Sequence, residues 1–216
     1  MKQTCPLIAK FGFLAGAVSL ISLSLSADPL PSWNETDTKK RIIEFVQQTT
    51  DHTSDDYVPE TDRIATFDND GTLWSEQPMY FQVFFLFDRV KNLAPQNPDW
   101  ETTEPFASVL QGDYDKALSG GDEALLKLVY ETSSGMTGEE YADEVREWIK
   151  TARHPKTGML FTEMVYQPML ELLAHLRANG YKTYIVSGGG IDFMRVFGEE
   201  VYGIPAEQVV GSELAV

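Results

Sequence analysis

Apolar and polar positions follow two different periods along this chain. An apolar run from Phe11 to Leu25, preceded by Lys2 and Lys10, stands apart from everything after it. Asn34 and Thr36 are both competent N-caps, and after them Ile42, Ile43, Phe45 and Val46 recur at helical spacing. The polar stretch Asp51 to Asp56 ends that helix. Arg63-Ile-Ala-Thr-Phe67 then reads as a short buried strand that runs straight into Asp68-Asn-Asp-Gly-Thr72. Between Glu76 and Thr157 the character becomes helical. Met79 to Val90 is apolar on nearly every side, which predicts a helix sandwiched between two layers. Beyond a loop at 94–98, helices are expected near Phe106–Leu118 and Asp122–Thr132, the second stopped by Gly135. Thr137 and Glu140 form a capping box for a helix through Trp148. Pro168 opens a helix that Gly180 closes, and Lys182 to Val186 is a second buried strand. That strand ends in the turn Ser187-Gly-Gly-Gly190, a helix follows, and Gln208-Val-Val210 begins a third strand.

Strands separated by helices imply an α/β fold with a parallel sheet, here with a mostly helical insert after the first strand. Ligands of such sheets gather at the carboxyl ends of the strands. Asp68, Asp70 and Ser187 all lie just past such ends, so the topology brings two acids and a hydroxyl to one crevice.

Composition narrows the functional classes. Hydrophobic residues make up 43% and aromatics 12%, enough for a sizeable core and too many for a disordered chain. The 17 Lys and Arg against 33 Asp and Glu give a net charge of −16, and no basic stripe offsets it, which argues against nucleic acid as a partner. Residues 1–26 read as a secretory signal peptide, with small residues Ser24, Ser26 and Ala27 at the cleavage site; an uncleaved signal anchor is the alternative. The expected location is therefore periplasmic or secreted, with no stable membrane insertion after cleavage. Cys5, the one cysteine, leaves with that segment. The mature chain then has no disulfide, no cysteine-ligated zinc and no cysteine nucleophile.

Two carboxylates at i and i+2, leaving a strand and followed by Gly-Thr, form a hard-oxygen site suited to Mg²⁺. A calcium loop fails on two counts. A strand, not a helix, precedes Asp68, and its twelfth position is Met79 where a glutamate belongs. Downstream, the dinucleotide pattern G-x-G-x-x-G breaks at Phe193, which argues against a nucleotide cofactor. A glycine-rich turn before a helix still suits a phosphate.

Phe67-Asp68-Asn69-Asp70-Gly71-Thr72-Leu73, with Tyr184-Ile-Val-Ser187-Gly-Gly189 downstream, resembles the haloacid dehalogenase-like hydrolase superfamily, and most of all its phosphoserine-phosphatase-type members. The resemblance spans roughly Arg63 to Val216. It implies a Rossmann-like core over 34–75 and 158–216, with a helical cap inserted over 76–157. It implies Asp68 as the nucleophile that forms an aspartyl-phosphate, and Asp70 as the acid for the leaving oxygen and then the base for water. Thr72, Ser187 and the backbone of Gly188 would hold phosphoryl oxygens. Mg²⁺ would be bound by the Asp68 side chain and the Asp70 carbonyl. An acid at the second position favours ester hydrolysis over dehalogenation, since only the former must protonate an alkoxide. The implied substrate is a small phosphorylated metabolite, phosphoserine-like, with Glu76 near the place of the acid that receives a substrate amine. Trp74 and Tyr80 are candidates for the entrance or for the core. Arg153 and His154 are expected at a helix C-terminus, complementing its dipole.

In one respect the sequence departs from the family. A lysine is expected after the third strand and an acidic pair after the fourth, but no lysine occurs from Gly188 to Val216. The acids there, Asp192, Glu199, Glu200, Glu207 and Glu213, do not form the pair. The sequence therefore reads as truncated; a catalytically inactive domain that at most binds phosphate or metal is the alternative.

Overall fold

Three short strands organise the chain. In the computed structural model, which describes residues 27–213, they form a parallel sheet in the order β1 (Ile64–Phe67), β2 (Lys182–Gly190), β3 (Val209–Ser212). The expected signal segment lies outside the described residues. Phe67 pairs with Ile185, and Ile185 with Val209. Residues 27–213 thus form an α/β fold with a Rossmann-like parallel sheet.

Helix α1 (Asp37–Thr50) precedes the sheet, and Thr36 caps it by accepting the Lys39 N–H. Between β1 and β2 come α2 (Phe81–Leu93), α3 (Phe106–Gln111), α4 (Tyr114–Ala117), α5 (Asp122–Ser133), α6 (Gly138–Ile149) and α7 (Gln167–Ala178); α8 (Ile191–Tyr202) joins β2 to β3. Thr137 and Glu140 make the expected capping box on α6. No helix among the described residues is long and apolar enough to cross a membrane.

Helix α2 lies between two layers because its apolar residues surround it. Phe81, Phe84, Phe85 and Leu86 join a cluster with Phe161, Leu173, Ile185, Phe193 and Phe197. Val83, Phe87 and Val90 face the other way, into a second cluster with Trp100, Phe106, Val109 and Leu128. Each such buried side chain contributes about 1.5–3 kcal/mol, so α2 ties the helical segment to the sheet.

The structure corrects the sequence-based expectations in three places. The helix expected over Phe106–Leu118 is broken in two at Gly112, which takes a φ of 77° that a side chain would resist, and Asp113 caps the new start. Ser187-Gly-Gly-Gly190 is not a simple turn. Strand β2 runs on through Gly190, and its pairing with β3 slips between Val186 and Gly190. Finally, β1 and β2 are half-buried where buried strands were expected. The strands follow sequence order, so successive crossovers of one hand place α7 and α8 on the same face. Arg177 of α7 donates to Thr183, and Gly198 of α8 backs onto Ile185 and Val209, all on that face. Ile64, Val186 and Val210 point the other way and are 55%, 47% and 50% exposed.

Candidate active site

Where β1 ends, the chain turns sharply around Asn69. Its carbonyl accepts the N–H groups of Thr72, Leu73 and Trp74, and its side-chain oxygen accepts the Tyr202 hydroxyl at 3.0 Å in the core. Gly71 sits at a φ of 71°, and a methyl group there would meet the Glu76 carboxyl at 2.8 Å. Glycine at this position therefore allows both the turn and the close approach of Glu76. Ser75 N–H donates to Met164 and Tyr166 N–H to Leu73, so the segment before α7 clamps the loop from outside.

This turn aims Asp68 and Asp70 into a cavity of about 550 Å³, also lined by Glu76, Ser187 and Gly188. The Asp68 side chain is exposed to it, with one oxygen accepting the Asn69 N–H at 2.7 Å. Asp70 is more enclosed. Trp74, itself wholly buried against Phe81 and Phe197, donates its indole N–H to Asp70 Oδ1 at 2.8 Å. Burial pushes the Asp70 carboxyl above its ordinary value; the Trp74 hydrogen bond works against this, and the charges of Asp68 and Glu76 add to it.

Ser187 comes from the second strand. Its Oγ accepts the Gly189 N–H at 3.2 Å, which leaves its own proton for a ligand. A methyl group on Gly189 would lie 3.6 Å from both Asp70 Oδ2 and Ser187 Oγ. The free oxygen of Asp70 and the serine hydroxyl therefore flank one glycine. Ser212 donates to the Gly188 carbonyl at 2.9 Å, fixing the glycine run where the ladder slips.

The structure thus brings Asp68, Asp70, Glu76, Ser187 and Gly188 to one cavity. Thr72 stands apart from its lining and makes a turn hydrogen bond to Asn69. Trp74 is core and Tyr80 lines the cavity mouth, 53% exposed. Arg153 and His154 do not serve a helix end. Arg153 donates to the Gly158 carbonyl, while buried His154 accepts N–H groups of Lys156 and Thr157 and reaches the Gln77 carbonyl, which fastens a loop.

Gln82 is a polar cavity residue that the sequence reading missed, and it read Asp192 and Glu213 only as acids away from the site. Gln82 accepts the Gly190 N–H at 3.0 Å and donates to the Tyr141 hydroxyl at 3.4 Å, which links α2 and α6 to the end of β2. Its signal was a lone amide within the apolar run of α2. Asp192 and Glu213 also line the cavity, bringing its acidic side chains to five, and no lysine, arginine or histidine lines it among the described residues. Among the described residues, no ion pair involves Asp68, Asp70 or Glu76.

A family model for haloacid dehalogenase-like hydrolases matches residues 65–216. No curated protein matches the chain. Among solved structures, a phosphoserine phosphohydrolase-like protein from Francisella tularensis subsp. tularensis SCHU S4 is similar at 19% identity and a TM-score of 0.39, covering 71% of this chain. The chain spans about 59% of the length of that protein.

Proposed function

The chain belongs to the haloacid dehalogenase-like hydrolases, and on that premise we propose that it is a Mg²⁺-dependent phosphomonoester hydrolase that acts through an aspartyl-phosphate on a small phosphorylated metabolite. The observation that carries this reading is the meeting of Asp68, a half-buried Asp70 whose pKa burial raises, and Ser187 at the carboxyl ends of two paired strands. Asp68 is the open carboxylate. Its oxygen attacks phosphorus while the bond to the leaving alcohol breaks, and Asp70 gives its proton to the departing oxygen. The Asp70 carboxylate then takes a proton from the water that attacks the aspartyl-phosphate, which frees inorganic phosphate and restores both acids. Trp74 holds one Asp70 oxygen, so the other is the one that exchanges protons. Ser187 donates to a phosphoryl oxygen.

Two carboxylates at one strand end are hard-oxygen donors of the kind a divalent cation takes, though no cluster of three or more acidic, histidine or cysteine ligands forms among the described residues. The Asp68 side chain and the Asp70 carbonyl would hold Mg²⁺, which when bound neutralises charge on the phosphoryl group. A second reading is a non-catalytic phosphate- or metal-binding domain, which the absence of a basic residue from the cavity lining among the described residues favours.

Release of phosphate from p-nitrophenyl phosphate, with and without Mg²⁺, separates the two readings. Turnover that needs Mg²⁺ and disappears in Asp68→Asn, with an unchanged circular dichroism spectrum, supports the enzyme. Calorimetric Mg²⁺ binding without turnover supports the second reading.

A further inference from the structure

The cavity is larger than a phosphate group requires, and α2 and α5 give it an apolar wall, with Gln82, Ser133, Thr137 and Tyr141 as polar residues of the lining. Beyond Asp68 and Ser187 it is walled by Val83 and Leu86 of α2, Leu125, Leu126 and Val129 of α5, and Ile191 of α8. Its volume of about 550 Å³ falls within the roughly 300–1,000 Å³ of pockets that enclose drug-sized ligands. Leu126 is 59% exposed although it lines this wall, so an apolar side chain is left open to water at the pocket mouth.

Charge points the same way. Asp192 and Glu213 add to the three acids at the reacting end, and no basic side chain in the lining opposes them. A leaving group bearing its own carboxylate or second phosphate would meet these acids, of which Asp192 alone has a basic partner, Arg195 at 3.9 Å, among the described residues. An uncharged apolar one removes Leu126 and Val129 from water and adds no repulsion.

Resting on the phosphohydrolase reading above, we infer that the substrate is a phosphate monoester whose leaving alcohol carries an alkyl or aryl chain, seated between α2 and α5. Phosphate lies at Asp68 and Ser187, and the chain runs along Leu86, Leu125 and Leu126. This departs from a small polar ester such as phosphoserine, which would leave the apolar wall without a partner.

Two series measured on the full chain in Mg²⁺ test this separately from the hydrolase reading. In the first, ethyl, butyl, hexyl and octyl phosphate are compared as substrates, because their leaving alcohols have nearly equal acidity. The expected result is a rise in kcat/KM approaching fourfold for each buried methylene until the pocket is filled; a flat series overturns the inference and spares the hydrolase. In the second, octylphosphonate and methylphosphonate, which cannot be hydrolysed, are compared by calorimetry. Octylphosphonate should bind at least tenfold more tightly, whether or not any ester turns over; equal affinities overturn the inference. Hydrolysis of none of the esters sinks the hydrolase reading alone and leaves the pocket to the binding series.

Leu126→Glu places a charge on the wall at an exposed position and should cut the octyl-to-methyl affinity ratio about tenfold. Tyr130→Glu, equally exposed on α5 but outside the lining, should leave that ratio unchanged. A ratio that survives Leu126→Glu shows that the chain binds elsewhere and overturns the assignment.

Discussion

At the scale of single residues, the informative contrast is between two aspartates two positions apart. Asp68 faces the cavity, while Asp70 is drawn under Trp74 and beside Asp68 and Glu76. Because folding raises the Asp70 pKa, Asp70 contributes stability in acid that is lost as pH rises through its folded value. In metal-free protein, Asp70→Asn should therefore raise Tm at neutral pH, and the gain should vanish at a pH below the ordinary carboxylate range. Thermal unfolding at two pH values checks both halves. The same replacement should lower kcat about 10²–10⁴-fold, more for alkyl than for aryl phosphates, since a poor leaving group needs the proton most. Trp74→Phe keeps the packed ring and removes the donor. The Trp74 hydrogen bond favours the charged carboxylate, so its loss raises the Asp70 pKa further and shifts the descending limb of the pH–rate profile to higher pH. An unmoved limb would show that Asp70 is not the acid. Both aspartates were evident in the sequence as a carboxylate pair leaving a strand. The Trp74 contact was not, because a tryptophan beside apolar residues reads as core until the fold turns its nitrogen back on Asp70.

Among the elements, the strands and the longer helices were legible because their periods are strong. Thr137 and Glu140 announced α6, and the all-round apolar surface of α2 announced its two neighbouring layers. What stayed hidden were features set by tertiary contact: the break at Gly112, and the continuation of β2 through three glycines. That continuation depends on close approach. A methyl group on Gly211 would come within 2.7 Å of the Gly189 carbonyl and 3.0 Å of the Ile191 Cα, both backbone atoms that cannot swing aside. Gly211→Ala should cost about 1–3 kcal/mol and weaken phosphate inhibition of turnover, because the displaced strand carries Ser187 with it. Denaturant unfolding and a phosphate inhibition constant measure the two effects. In the helical segment, buried Arg89 gives two N–H bonds to the Thr132 carbonyl and forms an ion pair with Glu144, holding α2, α5 and α6 together. Arg89→Leu leaves that carbonyl without its donors and should destabilise by about 1–3 kcal/mol.

At the scale of the whole molecule, the described residues cover one side of the sheet and leave the other bare, and that bare side carries Ile64, Val186 and Val210. The sequence could not reveal this, since a run such as Tyr184-Ile-Val looks the same whether one face or both are packed. Opposed to the bare side is a net charge of −16, which makes every copy repel every other. The repulsion is screened within about 10 Å at 0.1 M salt, whereas the attraction between apolar surfaces is not. Ionic strength therefore decides which force governs in solution. Copies should remain dispersed in dilute buffer and scatter more light as salt is added, and Val186→Thr with Val210→Thr should move that onset to higher salt. A protein that is sparing with basic residues is thereby held apart by the acidity that crowds its cavity, and added electrolyte should bring its bare sheets together.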